Sequence, residues 1–245
     1  MIRADLHCER RLLRLALPPA GEAGLDVAAL RTLSGLLMDS VGGQVRAVLI
    51  VRDAPDFALG VDVRDTVELE PDVVLGAWFD AMRAVVRCPV PVITAVRGRC
   101  LGRGASLALA SHFLFAHEDT TLGFHEVALG LFSPCASALL PWRSPVLRRM
   151  LIAGELLDVH QLELAGLVTG ITHRDPTIMA EHWFRQNLME RSLPAVRAAT
   201  AAAAPGEEFE ARLQRHVVQL REHLRSCEDP REGIQAFLEA RPPRF

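Results

Sequence analysis

Apolar residues recur at two spacings along the chain, and the switch between them sets out an ordered series of strands and helices. Leu12 to Leu17 alternates and then runs apolar, which predicts a first strand. From Leu25 to Met38, Val27, Leu30, Leu33, Leu36 and Leu37 share one helical stripe, broken at Gly42-Gly43. The β-branched run Val45 to Val51 suits a strand buried on both faces. A turn-rich Asp53-Ala54-Pro55-Asp56 follows, and then Phe57-Ala58-Leu59-Gly60-Val61-Asp62. Leu69 to Val86 returns to helical spacing through Val74, Trp78, Met82 and Val85. Val90 to Val96 reads as a strand, followed by a Gly98/Gly102/Gly104 turn, a short Ala/Leu helix and a strand from His112 to Ala116. Strands alternating with helices at this spacing predict a mainly parallel α/β core. From about Pro145 onward the pattern is nearly all helical. Pro205-Gly206 parts an Ala-rich helix at 192–203 from a long amphipathic one at 207–226, and a short helix at 232–240 follows. No internal repeat is present.

Composition narrows the class. The chain has 245 residues, half of them hydrophobic, which fits one domain with a helical appendage. The net charge of −3 and the lack of a long basic block argue against nucleic acid and anionic membrane as partners. Five dispersed cysteines without metal-type spacing fit free thiols in a reducing cytosol, so a cytoplasmic location and no metal site are expected. Met1-Ile2-Arg3-Ala4-Asp5 does not read as a signal peptide, and no apolar run is long enough for a bilayer. The sequence contains no lysine, so any cationic contact to phosphate must come from Arg or His.

Two turns could carry chemistry. One holds Gly60-Val61 and the other Gly102-Arg103-Gly104, each beyond the carboxyl end of an expected parallel strand, where open α/β sheets bind ligands. The second opens a helix, so its N–H groups stand at the positive end of a helix dipole. Two such donors on one oxygen would form an oxyanion hole, worth ~3–4 kcal/mol per donor lost. Glycines that merely permit tight turns would give the same pattern, and both readings stay open at this level. Beyond the second turn lies Glu126, a lone carboxyl in a mostly apolar stretch, a setting that raises its pKa.

FALGVD at 57–62, VRGRCLGRGASLALAS at 96–111, LGFHEVALG at 122–130 and AGLV at 165–168, in this order, resemble the enoyl-CoA hydratase/isomerase (crotonase) family. The match runs from roughly residue 45 to 171, and EGIQAFLEARPPRF at 232–245 resembles the family's ending. Within the family, RGRCLG, the FSPCASALLP segment at 132–141 and the ending are most similar to cyclohexa-1,5-diene-1-carbonyl-CoA hydratases. The resemblance implies a spiral core of repeated ββα turns over residues 1–190, with helices at 191–245 that assemble a homotrimer or homohexamer. It implies an acyl-CoA thioester substrate, with coenzyme A present only as part of it and no resident cofactor. The thioester carbonyl would be held by the N–H groups of Val61 and Arg103, and Phe57, Ala58, Leu59, Gly60 and Asp62 would wrap coenzyme A.

The departures matter as much. Of the two glutamates that hold water in hydratases of the family, the second matches Glu126, while the first falls on Ser106. A hydroxyl can bond a water but cannot act as a carboxylate base near neutral pH. Overall similarity therefore points to hydration of an enoyl- or cyclic dienoyl-CoA, whereas the site points to a proton shift that needs only Glu126. A catalytically degenerate acyl-CoA-binding or partner subunit is the alternative from another class; thioester hydrolysis and C–C cleavage are known in the family, but no residue favours either. Arg103 stands where glycine is usual, with its side chain expected at an interface or in solvent, and a left-handed backbone there would cost ~1–2 kcal/mol. His112 and His125 replace other residues, as structural substitutes or as further acid–base groups. Cys135 reads as a packed core thiol.

Overall fold

Each long apolar run in the sequence becomes an element of the core. The computed structural model describes residues 1–18, 25–39, 43–60, 70–139 and 144–245. The main sheet contains β1 (Arg3–His7), β2 (Leu12–Leu17), β3 (Ala47–Arg52), β4 (Val92–Val96), β6 (Phe113–His117) and β9 (Gly170–Thr172), in the order β1-β2-β3-β4-β6-β9. All neighbours from β2 to β9 are parallel, and only β1 pairs antiparallel. A smaller sheet of β5 (Arg99–Leu101), β7 (Thr121–Gly123) and β8 (Leu156–Asp158) stands beside it.

Burial explains which strands were legible. All residues of β3 and β4 are buried, so their sequences are continuous apolar runs. Helices α1 (Val27–Asp39) and α2 (Pro71–Val86) pack together on one face, and Leu33, Leu37, Met82 and Val85 are fully covered. Full burial of each such side chain is worth ~1.5–3 kcal/mol. By contrast β1 was not expected. It is an edge strand with Arg3, Ala4 and Leu6 exposed, and so shows no apolar alternation. β5, β7, β8 and β9 have three residues each, too few to show a period, and β8 and β9 interrupt a region expected to be nearly all helical.

The remaining elements build one side of the molecule. Helix α3 (Arg103–Ala110) follows β5, and a 3₁₀ turn spans His125–Leu129. After α4 (Pro134–Leu139), α5 (Pro145–Ala153) and α6 (Val159–Leu164), α7 (Pro176–Asn187) lies against β4 and β6. The last helices are α8 (Leu193–Ala203), α9 (Gly206–Ser226) and α10 (Asp229–Leu238). Helix α9 grips the 130–137 segment through side-chain bonds to its backbone: Arg212 donates to the Ser137 carbonyl (2.6 Å), while His216 and His223 bond those of Pro134 (3.3 Å) and Gly130 (2.7 Å). Helix α10 packs on the 3₁₀ turn so closely that a Cβ on Gly233 would meet the Leu129 carbonyl oxygen at 2.4 Å. Among the described residues, no helix is long and apolar enough to cross a membrane.

Candidate active site

The chain leaving β3 is held in place by charge. Buried Arg52 donates from Nη1 to the Phe57 carbonyl and from Nε to that of Pro18, both at 2.8 Å. Asp56 forks onto Arg99 (2.7 Å at Nη2), which holds its carboxyl below the usual range. Ala58 then bridges Cys100 in parallel, and the Leu101 N–H donates to the Ala58 carbonyl (2.7 Å). As a result the Phe57 and Ala58 side chains face the core, while Leu59 and Gly60 reach a cavity. Val61 and Asp62 lie outside the described residues.

The second turn abuts the same cavity. Gly102 caps α3 with φ 54° and ψ −116°, a conformation that disfavours a side chain. A Cβ there would also stand 3.2 Å from Glu126 Oε1. Gly104 is required by close approach, because a Cβ on it would meet the Ala58 Cβ at 2.4 Å. Arg103 itself is the first residue of α3 and has no positive φ, so the left-handed cost considered for it does not arise. Its amide belongs to the first helical turn, where an N–H has no carbonyl four residues back to bond. The guanidinium turns inward, 5.8 Å from the centre of the Trp78 ring and against the cavity, rather than into open solvent.

The cavity has a volume of about 370 Å³ and is walled mainly by apolar side chains, among them Val74, Trp78, Leu131, Leu220 and Ile234. Glu126 is the only carboxylate on that wall among the described residues. Burial pushes its carboxyl up to about 7, against smaller opposing pulls from its own backbone N–H, the Arg103 charge and the Ser133 hydroxyl. Oε2 is covered and has no hydrogen-bond partner among the described residues. A carboxyl group titrating near neutrality can both accept and return a proton.

Ser106 stands one layer behind the wall. It is fully buried, and its Oγ lies 3.3 Å from that of Ser133, which does line the cavity. Ser133 therefore links the two positions that the resemblance had paired, and the sequence reading missed it. Its only signal was its place in the FSPCASALLP segment. His112 does not line the cavity: the Val92 N–H donates to its Nδ1 (3.1 Å), and burial lowers its pKa. His125 lines the cavity beside Gly60 and Gly102. Cys135 is a fully buried thiol pushed up by desolvation and hydrogen-bonded by Trp78. No group of three or more His, Cys, Asp or Glu among the described residues could hold a metal ion.

Comparison with known proteins bears on the whole chain. Cyclohexa-1,5-dienecarbonyl-CoA hydratase of Thauera aromatica is 32% identical over 237 residues, covering 94% of this chain and 90% of that protein. 2,3-Dehydroadipyl-CoA hydratase of Escherichia coli K12 is 28% identical, covering 96% and 94%. The crystal structure of an enoyl-CoA hydratase/isomerase from Pseudoalteromonas atlantica T6c superposes with a TM-score of 0.86 at 24% identity, over 100% of this chain and 99% of that one. That likeness shows the crotonase-like fold expected from the resemblance, with helices at the C-terminal end. The pattern of one family matches residues 38–245, which takes in the Gly60 and Gly102 turns, Glu126 and the closing helices alike. The chain belongs to the enoyl-CoA hydratase/isomerase family.

Proposed function

We propose that the protein transforms an enoyl- or cyclic dienoyl-CoA thioester, with Glu126 moving the proton and the backbone N–H groups of Val61 and Arg103 holding the enolate oxygen. The observation that carries this is Glu126, a buried carboxyl raised to about 7 in an apolar cavity beside the Gly102 turn. Thioester polarisation makes the carbon next to the carbonyl acidic, and donors aimed at the oxygen lower the barrier to forming the enolate. Leu59 and Gly60 border the cavity and would meet the pantetheine arm. The acyl group would lie against the apolar side chains of Trp78, Val74 and Ile234. Coenzyme A would enter as part of the substrate, and these residues need no resident cofactor for the proton transfer. Assembly as a homotrimer or homohexamer in the cytoplasm is proposed on family grounds.

The test is turnover. Purified protein is offered crotonyl-CoA, a 3-enoyl-CoA and a cyclic dienoyl-CoA, and the panel is repeated with Glu126→Gln. Turnover of any substrate that falls by about 100-fold or more in the variant supports the reading. Binding of coenzyme A thioesters without turnover of any of them sinks it in favour of a degenerate binding subunit.

A further inference from the structure

The cavity contains a second ionisable ring that differs from the other covered imidazoles. His112, His117, His216 and His223 are each tied to a backbone group, by the Val92 N–H, the Asp119 N–H, the Pro134 carbonyl and the Gly130 carbonyl. His125 is not: its Nδ1 is covered and has no hydrogen-bond partner among the described residues. The ring lines the same wall as Glu126 and stands between the two turns that border the expected carbonyl site. A Cβ built on Gly60 would meet its Cε1 at 3.5 Å, and one on Gly102 would meet the same atom at 3.3 Å. From that second point Glu126 Oε1 is 3.2 Å away, so carboxyl and imidazole converge on one place beside the turn. Ser106, in contrast, stands behind Ser133 and does not line the cavity.

We propose that His125 is the second acid–base group of the site, taking a proton from the water that adds to the double bond while Glu126 protonates the neighbouring carbon. This rests on the reading of the cavity as an acyl-CoA site. Burial lowers the pKa of His125 and raises that of Glu126, so the imidazole is neutral where the carboxyl is still partly protonated. In the step, one water O–H bond breaks and its proton goes to the neutral imidazole. The water oxygen bonds the β-carbon, and the double-bond electrons move onto the thioester oxygen as the enolate. The Glu126 carboxyl then gives its proton to the α-carbon, and the imidazolium returns one proton to the carboxylate. Water has been added, nothing is oxidised or reduced, and both residues end as they began. A 1,3-proton shift needs Glu126 alone, so the inference separates the two reactions.

The experiment compares wild type, His125→Gln and Glu126→Gln in hydration of crotonyl-CoA and a cyclic dienoyl-CoA, in isomerisation of a 3-enoyl-CoA, and in binding of butyryl-CoA. His125→Gln is expected to lose hydration by about 100-fold or more. It should lose far less of isomerisation and of butyryl-CoA affinity than of hydration, whereas Glu126→Gln loses both reactions. Where the Gln variant fails to fold, His125→Asn gives the same readouts. Hydration within about threefold of wild type in the His125 variant overturns the inference. So does a parallel fall of hydration, isomerisation and binding, which marks a merely structural ring, and so does a wild type that isomerises without hydrating. A wild type that turns over nothing removes the acyl-CoA enzyme reading itself, and this inference with it.

Discussion

Ser106 Oγ sits 3.3 Å from Ser133 Oγ, so the side chain at the position of the absent glutamate faces a hydroxyl in the cavity wall. Ser133 favours the charged form of the Glu126 carboxyl. Ser133→Ala is therefore expected to raise the Glu126 pKa, moving the corresponding limb of the kcat/KM profile to higher pH. Ser106→Ala, one layer further back, should leave that limb in place while costing about 1 kcal/mol of stability. Parallel pH profiles and urea unfolding of the two variants check both points.

Glu126 itself should work against the fold. Its folded-state pKa of about 7 lies above the ordinary carboxylate value, so the native state holds a proton that the unfolded chain has already released. Stability is then greatest below the unfolded pKa and declines as pH rises through 7, by about 3 kcal/mol in all. Glu126→Gln removes that decline. The expected result is an inactive protein that unfolds at higher urea than wild type at pH 8, with little difference at pH 4.5.

Gly102→Ala combines a disfavoured backbone with a methyl group 3.2 Å from the Glu126 carboxyl. A loss of ~1–3 kcal/mol is expected from the backbone alone, together with a lowered kcat as the carboxyl is pushed aside. Thermal unfolding and steady-state kinetics on the same preparation would show both effects, and a fully active Ala variant would contradict this account of the turn.

Arg103→Met keeps an unbranched apolar stem and removes the guanidinium and its charge. The Trp78 contact contributes about 0.5–2 kcal/mol, and the Arg103 charge lowers the Glu126 pKa. The variant should therefore show altered Trp78 emission, measured in a protein whose other tryptophans have been replaced by Phe. It should also show a Glu126 pKa above that of wild type, visible as a displaced pH–rate limb.

How much of this could be read from the sequence depends on burial and length. β3 and β4 were legible because every side chain in them is covered, and α2 because one stripe of it, through Trp78 and Met82, faces the core. β1 was hidden by its exposed edge, and β5, β7, β8 and β9 by having three residues each. At the site, Glu126 stood out as the one acidic residue in an apolar stretch. Ser133 did not, because a serine among small residues has no period and no charge. The direction of the Arg103 side chain was equally hidden, since it is set by a ring 25 positions earlier in the chain that only tertiary folding brings alongside.

The close contact of Gly233 with the Leu129 carbonyl also has a consequence for the order in which the site can come into being. Synthesis runs from the amino end, so the turn at 102–104 and the carboxyl at 126 are made long before Leu220, Leu224, Ile234 and Phe237, which close the opposite wall. Until those residues have left the ribosome and docked, the cavity that holds Glu126 lacks part of its lining. A nascent chain thus carries the turn and the carboxyl before the cavity around them is complete. The final helix, which carries Ile234 and Phe237 of the cavity lining, is the last part of that enclosure to be made.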